Sequence, residues 1–131
     1  MASVQAKEWL KSAYSDLRSI KYIINDEFLT HVVAFHSQQA VEKTLKAILE
    51  NENHQVPKVH KLQNLINRVN IDIIINERIL ATLDELYIES RYPGDMGLLP
   101  QGKPTLTDAK EFYEFAQTLF NHVSTMLDVS E

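Results

Sequence analysis

The sequence predicts an all-α fold, an antiparallel up-and-down bundle of four to five helices. Two observations carry this expectation. Strong helix breakers are confined to two places: all three glycines and three of the four prolines fall between Pro93 and Pro104, and the fourth proline is Pro57. Elsewhere, apolar residues recur at spacings of three and four, the period of an amphipathic helix. The single stretch with strand-like alternation, Ile71, Ile73 and Ile75 around Asp72, has no second strand to pair with and reads as a connector.

The first helix runs from near Ser3 to about Asn25, with Ala6, Leu10, Ala13, Leu17, Ile20 and Ile24 in one stripe. A second helix covers roughly Leu29 to Asn51 through Ala34, Val41, Leu45 and Ile48. Beside that stripe, Val33, Ala40 and Ala47 make a row of mostly small residues where another helix can approach closely. This helix is apolar over a wide arc and is expected at the centre. After Pro57 a short helix is expected from His60 to about Val69, carrying Leu62, Leu65, Ile66 and Val69. A fourth spans about Asn76 to Ser90 through Ile79, Leu83, Leu86 and Tyr87, and ends near Arg91 because Pro93 pushes Tyr92 out of the α region. The Gly/Pro segment 93–106 is long for a connection between helices, and such loops are often functional. The last helix runs from about Thr107 to Asp128, with Phe112, Ala116, Leu119, Val123 and Met126 as its stripe. Asp108 and Glu111 suit its positive N-terminal end.

Length and composition set bounds. The 131 residues suit one domain, 1–131, and 44% apolar residues supply a core. No stretch approaches the roughly 20 apolar residues of a membrane span, and residues 1–8 pass straight into helical periodicity without the basic start and apolar run of a signal peptide. A cytoplasmic location is the expectation. The absence of cysteine excludes disulfides, thiolate metal sites and cysteine nucleophiles. A net charge of −5 argues against a broad nucleic-acid-coating surface. The charge is uneven: residues 1–68 hold nine Lys/Arg against seven Asp/Glu, residues 69–131 four against eleven. An anionic ligand is therefore steered to the first half.

Several side chains invite a chemical reading. His31 and His36 lie five apart, on different helix faces, and no histidine–carboxylate metal motif is present, so neither metal nor cofactor is expected. Gln39, Lys43 and Lys46 share one face of the second helix, beside Gln38 and Glu42. Either this is a solvated face with a Glu42–Lys46 pair at i, i+4, contributing roughly a few tenths of a kcal/mol, or two ammonium groups and an amide are set to receive a phosphate. Asp16 shares a row with Trp9, Ile20 and Ile23, so its carboxylate borders an apolar strip and needs donors. Lys43, Lys46 or Arg91 are the candidates, and a pair that merely fixes helix register is the alternative. Arg91 either complements a helix C-terminus or directs its guanidinium into a cleft to hold phosphate.

The run from Ala34 to Ala47, AFHSQQAVEKTLKA, resembles the hallmark second helix of HEPN domains (higher eukaryotes and prokaryotes nucleotide-binding), whose pattern is approximately F-x-x-Q-Q-A-x-E-K-x-L-K-A. Trp9, Ala13, Asp16 and Leu17 match that family's W-x3-A-x2-D-L opening. His60 and Leu62 match its H-x-L element, and Arg91-Tyr92-Pro93 its R-Y-P element. The resemblance covers nearly the whole chain in the right order. It implies a homodimeric bundle of the prokaryotic branch associated with small nucleotidyltransferases: a non-catalytic nucleotide- or substrate-binding partner in a two-component, toxin–antitoxin-like system. On this reading Lys43, Lys46 and Arg91 contact phosphate, while Gln39, His60 and Tyr92 hydrogen-bond or stack, with Asp16 in the same set. Other family members are metal-independent endoribonucleases with an R-x4-6-H motif. Here Arg91 is followed by Tyr92, Pro93, Gly94, Asp95, Met96, Gly97 and Leu98, so the histidine general acid/base is missing from that place. The alternative is an RNase that pairs Arg91 with a histidine from elsewhere, His60.

Overall fold

The computed structural model describes residues 2–72, 74–89 and 103–128, with Ile88 and Glu89 described by backbone alone. It contains five α-helices: α1 Val4–Ile23, α2 Thr30–Asn51, α3 Leu62–Ile66, α4 Glu77–Glu89 and α5 Leu106–Met126. A short 3-10 turn, Glu27–Leu29, leads into α2. The fold is all-helical, and no strand occurs among the described residues. The Ile71–Ile75 region is a connector as its unpaired alternation implies, although Ile73 lies outside the described residues.

Local chemistry explains the ends. Ser3 caps α1 by accepting from the Ala6 amide at 3.1 Å. Thr105 and Asp108 form a reciprocal capping box on α5, so the helix begins one residue before the sequence-based expectation. After α2 the chain turns through Asn53 at φ 60°, and the His54 amide reaches back to the Leu49 carbonyl at 3.0 Å. Asparagine tolerates that left-handed conformation better than most residues.

The expected stripes are the buried faces. Ala6, Leu10, Ala13, Leu17 and Ile20 of α1 meet Val33, Ala40, Val41, Ala47 and Ile48 of α2, all nearly inaccessible to solvent, within one continuous core. The small-residue row Val33–Ala40–Ala47 is completely buried, and α2 packs against all four other helices. Two details differ from the expectation. Met126 is 42% exposed, and Leu127 closes that end of the core instead. The third helix is five residues, not ten. Its Lys61 N-cap makes no side-chain cap bond; buried Asp84 of α4 accepts from the Leu62 amide at 2.6 Å and the Gln63 amide at 3.1 Å. The helix therefore starts where that carboxylate sits, leaving His60 in the extended approach.

Candidate functional site

Two buried carboxylates facing the α1–α2 seam organise the polar residues of the molecule. Asp16 of α1 is 8% exposed. Lys43 Nζ donates to its Oδ2 at 2.8 Å, and His36 Nδ1 lies 2.8 Å from its Oδ1. A carboxylate only accepts, so Nδ1 carries the proton and Nε2 is the ring nitrogen that Asp16 does not engage. The sequence asked which cation serves Asp16; Lys43 does, and His36 joins it.

Glu42, one residue before Lys43, is 4% exposed and gathers three groups. Lys46 Nζ donates to Oε2 at 3.0 Å, and Gln38 Nε2 donates to Oε1 at 3.2 Å. His60 Nδ1 lies 3.2 Å from Oε2 and 3.3 Å from Oε1. The Gln38 amide also donates to the His60 carbonyl at 2.9 Å, and Gln39 Nε2 donates to Gln38 Oε1 at 2.7 Å. The approach to α3 is thereby tied to the middle of α2 through both the side chain and the backbone of His60.

The solvated-face reading of Glu42 and Lys46 does not describe this geometry. Lys46 is 5% exposed, and its ammonium lies 5.4 Å from the Trp9 ring centroid as well as against Glu42. Buried charges persist when paired and hydrogen-bonded, and a cation over an indole face gains further stabilisation. The reason is positional: Val41, Leu45, Ala47 and Ile48 bury the same stretch of helix all round.

An aromatic row connects the two carboxylate clusters. Phe35 meets His36 edge-on with centroids 5.5 Å apart. Phe35 and Tyr87 of α4 are nearly parallel, 6.3 Å apart at 13°. Tyr87 in turn meets His60 at 5.6 Å. Phe35 is 39% exposed and the His60 side chain 53%. Starting at Trp9, contacts run unbroken through Lys46, Glu42, His60, Tyr87, Phe35, His36 and Asp16 to Lys43.

Asp16, Gln39, Lys43, Lys46 and His60 of the sequence-derived set thus share one continuous cluster. Arg91 and Tyr92 lie outside the described residues. Gln38, Glu42, His36 and Phe35 were not in that set, although the signal for His36 was present: it stands seven residues before Lys43, on the same face of α2. His31 belongs elsewhere. It sits edge-on to Phe28, and burial, aided by the nearby Lys103 charge, pushes its imidazole below the usual histidine value. Among the described residues no group of three or more metal-ligating side chains occurs, and no helix is long and apolar enough to cross a membrane.

The model of the HEPN domain family matches residues 6–126. The chain belongs to the HEPN domain family. Two solved structures share its fold. TT1696 from Thermus thermophilus is 26% identical with a TM-score of 0.73, covering 94% of this chain and 98% of its own. ST0689, an archaeal HEPN homologue, is 26% identical with a TM-score of 0.69, covering 95% of this chain and 99% of its own. No curated protein matches the chain. Trp9, Asp16, Phe35, Gln38, Gln39, Glu42, Lys43, Lys46 and His60, on which the HEPN resemblance rests, meet in this cluster, while Arg91 and Tyr92 of the same resemblance lie outside the described residues.

Proposed function

We propose that this HEPN protein is a non-catalytic binding module that holds the phosphate of a nucleotide or an RNA strand, works as a homodimer and serves a separate small nucleotidyltransferase. The observation that supports it is the convergence of Asp16, Gln39, Lys43 and His60 from three segments on one partly open surface. Lys43 is the phosphate contact in this reading. An ammonium has three donors; one is given to Asp16, and the side chain is 21% exposed, leaving others for a guest. Gln39 and the imidazoles of His36 and His60 add hydrogen-bonding edges. Lys46 is committed to Glu42 and supports the site from beneath, while Arg91 is proposed as a second phosphate contact and Tyr92 as a group that hydrogen-bonds or stacks. Titration calorimetry with adenosine monophosphate tests the reading: Lys43→Gln and Arg91→Ala are each expected to weaken binding at least tenfold. Unchanged affinity in both variants removes these residues from the role. Light scattering is expected to give twice the chain mass, and a monomer at tens of micromolar overturns the homodimer.

One observation favours the endoribonuclease alternative. Glu42 fixes His60 through Nδ1 while the ring stays half exposed, an arrangement suited to proton transfer through Nε2. RNA digestion in the presence of EDTA discriminates. Cleavage abolished by both His60→Ala and Arg91→Ala establishes the enzyme, and no cleavage supports the binding module.

A further inference from the structure

The cations of this site carry little net attraction for a phosphate. Asp16 and Glu42 are matched one for one by Lys43 and Lys46, each at 3.0 Å or less. The formal charges of Asp16, Glu42, Lys43 and Lys46 sum to zero, and the whole chain is at −5. A ligand selected by phosphate alone would find the remaining donors of Lys43 set 2.8 Å from an opposing carboxylate. What the surface offers in quantity is aromatic area: the His36–Phe35–Tyr87–His60 row, continuous at ring-centroid separations of 5.5, 6.3 and 5.6 Å, with Phe35 39% exposed.

We infer that this row is a stacking platform for one unpaired nucleobase, with Phe35 as its principal ring, and that base contact, rather than phosphate contact, supplies most of the affinity. The inference rests on the nucleotide-binding reading above and names which part of the ligand is recognised. Phe35, Gln39 and Lys43 stand at i, i+4 and i+8 along α2 and so form one line, rising about 6 Å per step. That order places a partly exposed aromatic ring first, then an amide able to donate and accept, then an ammonium. It matches the order base, sugar, phosphate along a nucleotide. Aromatic side chains stack bases of any identity because every base has a π face. The imidazoles of His36, against Phe35, and His60, against Tyr87, are fixed through Nδ1 by Asp16 and Glu42 and can hydrogen-bond the base rim. A free mononucleotide and a single-stranded RNA present the same unit. A base pair inside a duplex does not, because both its faces are covered by neighbouring pairs.

The test compares four probes on the full chain by calorimetry: adenosine monophosphate, ribose 5-phosphate, a single-stranded oligoadenylate, and that strand paired with oligouridylate. Adenosine monophosphate is expected to bind at least tenfold more tightly than ribose 5-phosphate, and the single strand more tightly than the duplex. Phe35→Leu is expected to weaken the base-containing probes by roughly tenfold or more and leave ribose 5-phosphate unchanged, while Phe35→Tyr retains the affinity. Circular dichroism confirms that both variants fold. Preference for adenosine monophosphate over the single strand assigns the free nucleotide as source, and the reverse assigns RNA. Equal binding of ribose 5-phosphate and adenosine monophosphate, equal binding of duplex and single strand, or indifference to Phe35→Leu overturns the platform and leaves the phosphate-binding proposal standing. Binding of none of the probes overturns both.

Discussion

Replacing Lys46 by methionine removes an ammonium from a place that water barely reaches and leaves the Glu42 carboxylate behind. The two side chains are 6% and 5% exposed. Breaking one half of a buried ion pair costs roughly 3–5 kcal/mol, because the remaining charge is uncompensated. Glu42 retains the Gln38 amide at 3.2 Å and the half-exposed His60 imidazole, which places the expected loss at the lower end, about 3 kcal/mol. With an unfolding entropy of roughly 2.1 cal/mol/K per residue, a loss of that size lowers Tm by about 11 °C in a chain of 131 residues. Thermal and urea denaturation followed by circular dichroism measure it. The double variant Lys46→Met with Glu42→Leu removes both charges and is expected to lose only about 1 kcal/mol, what Gln38 and His60 forfeit when their contacts to Glu42 go. A loss below about 1 kcal/mol in Lys46→Met alone, the behaviour of a solvated i, i+4 pair, would refute the reasoning.

Three further outcomes follow from the same geometry. Lys43→Gln, at a side chain 21% exposed, is expected to cost only about 1 kcal/mol of stability by denaturation, less than Lys46→Met, while reducing nucleotide affinity more. Burial raises the Asp84 carboxyl above the ordinary carboxylate value, and the Leu62 and Gln63 amides only partly offset this. The folded state therefore holds this proton more tightly than the unfolded one, so Asp84's contribution to stability falls as pH rises from the ordinary carboxylate value through the raised one. Asp84→Asn is expected to remove that slope from urea midpoints measured across this window, and an unchanged slope counts against it. Thr105→Ala, which deletes half of the α5 capping box, is expected to cost about 1 kcal/mol, read as a lower urea midpoint at unchanged m-value.

The helices were legible because their stripes report burial directly: Ala6 to Ile20 in α1 and Val33 to Ile48 in α2 repeat at helical spacing, and both stripes are inaccessible to solvent. Asp16 was legible for the opposite reason, since a carboxylate in an apolar row demands a donor, and Lys43 is there. The depth of Glu42 and Lys46 was not. An i, i+4 acid–base pair looks the same in sequence whether water or Trp9 lies over it; only the approach of α1 decides, and that is a tertiary fact. His36 was passed over because its partner is twenty residues away on another helix. The length of α3 escaped for a related reason, because its start is set by a side chain from α4 and not by its own flanking residues.

That borrowed start bears on the order in which the molecule assembles. A helix of five residues cannot nucleate by itself, and α3 draws its first hydrogen-bond acceptor from Asp84, more than twenty positions later in the chain. A partly folded molecule in which α1, α2 and α5 have docked lacks that acceptor, and only the contacts of His60 to Gln38 and Glu42 hold the entry to α3. The segment that carries His60 is thus held at two points, by α2 at His60 and by α4 at Leu62 and Gln63, and a substitution that loosens α4 is expected to leave it only the first.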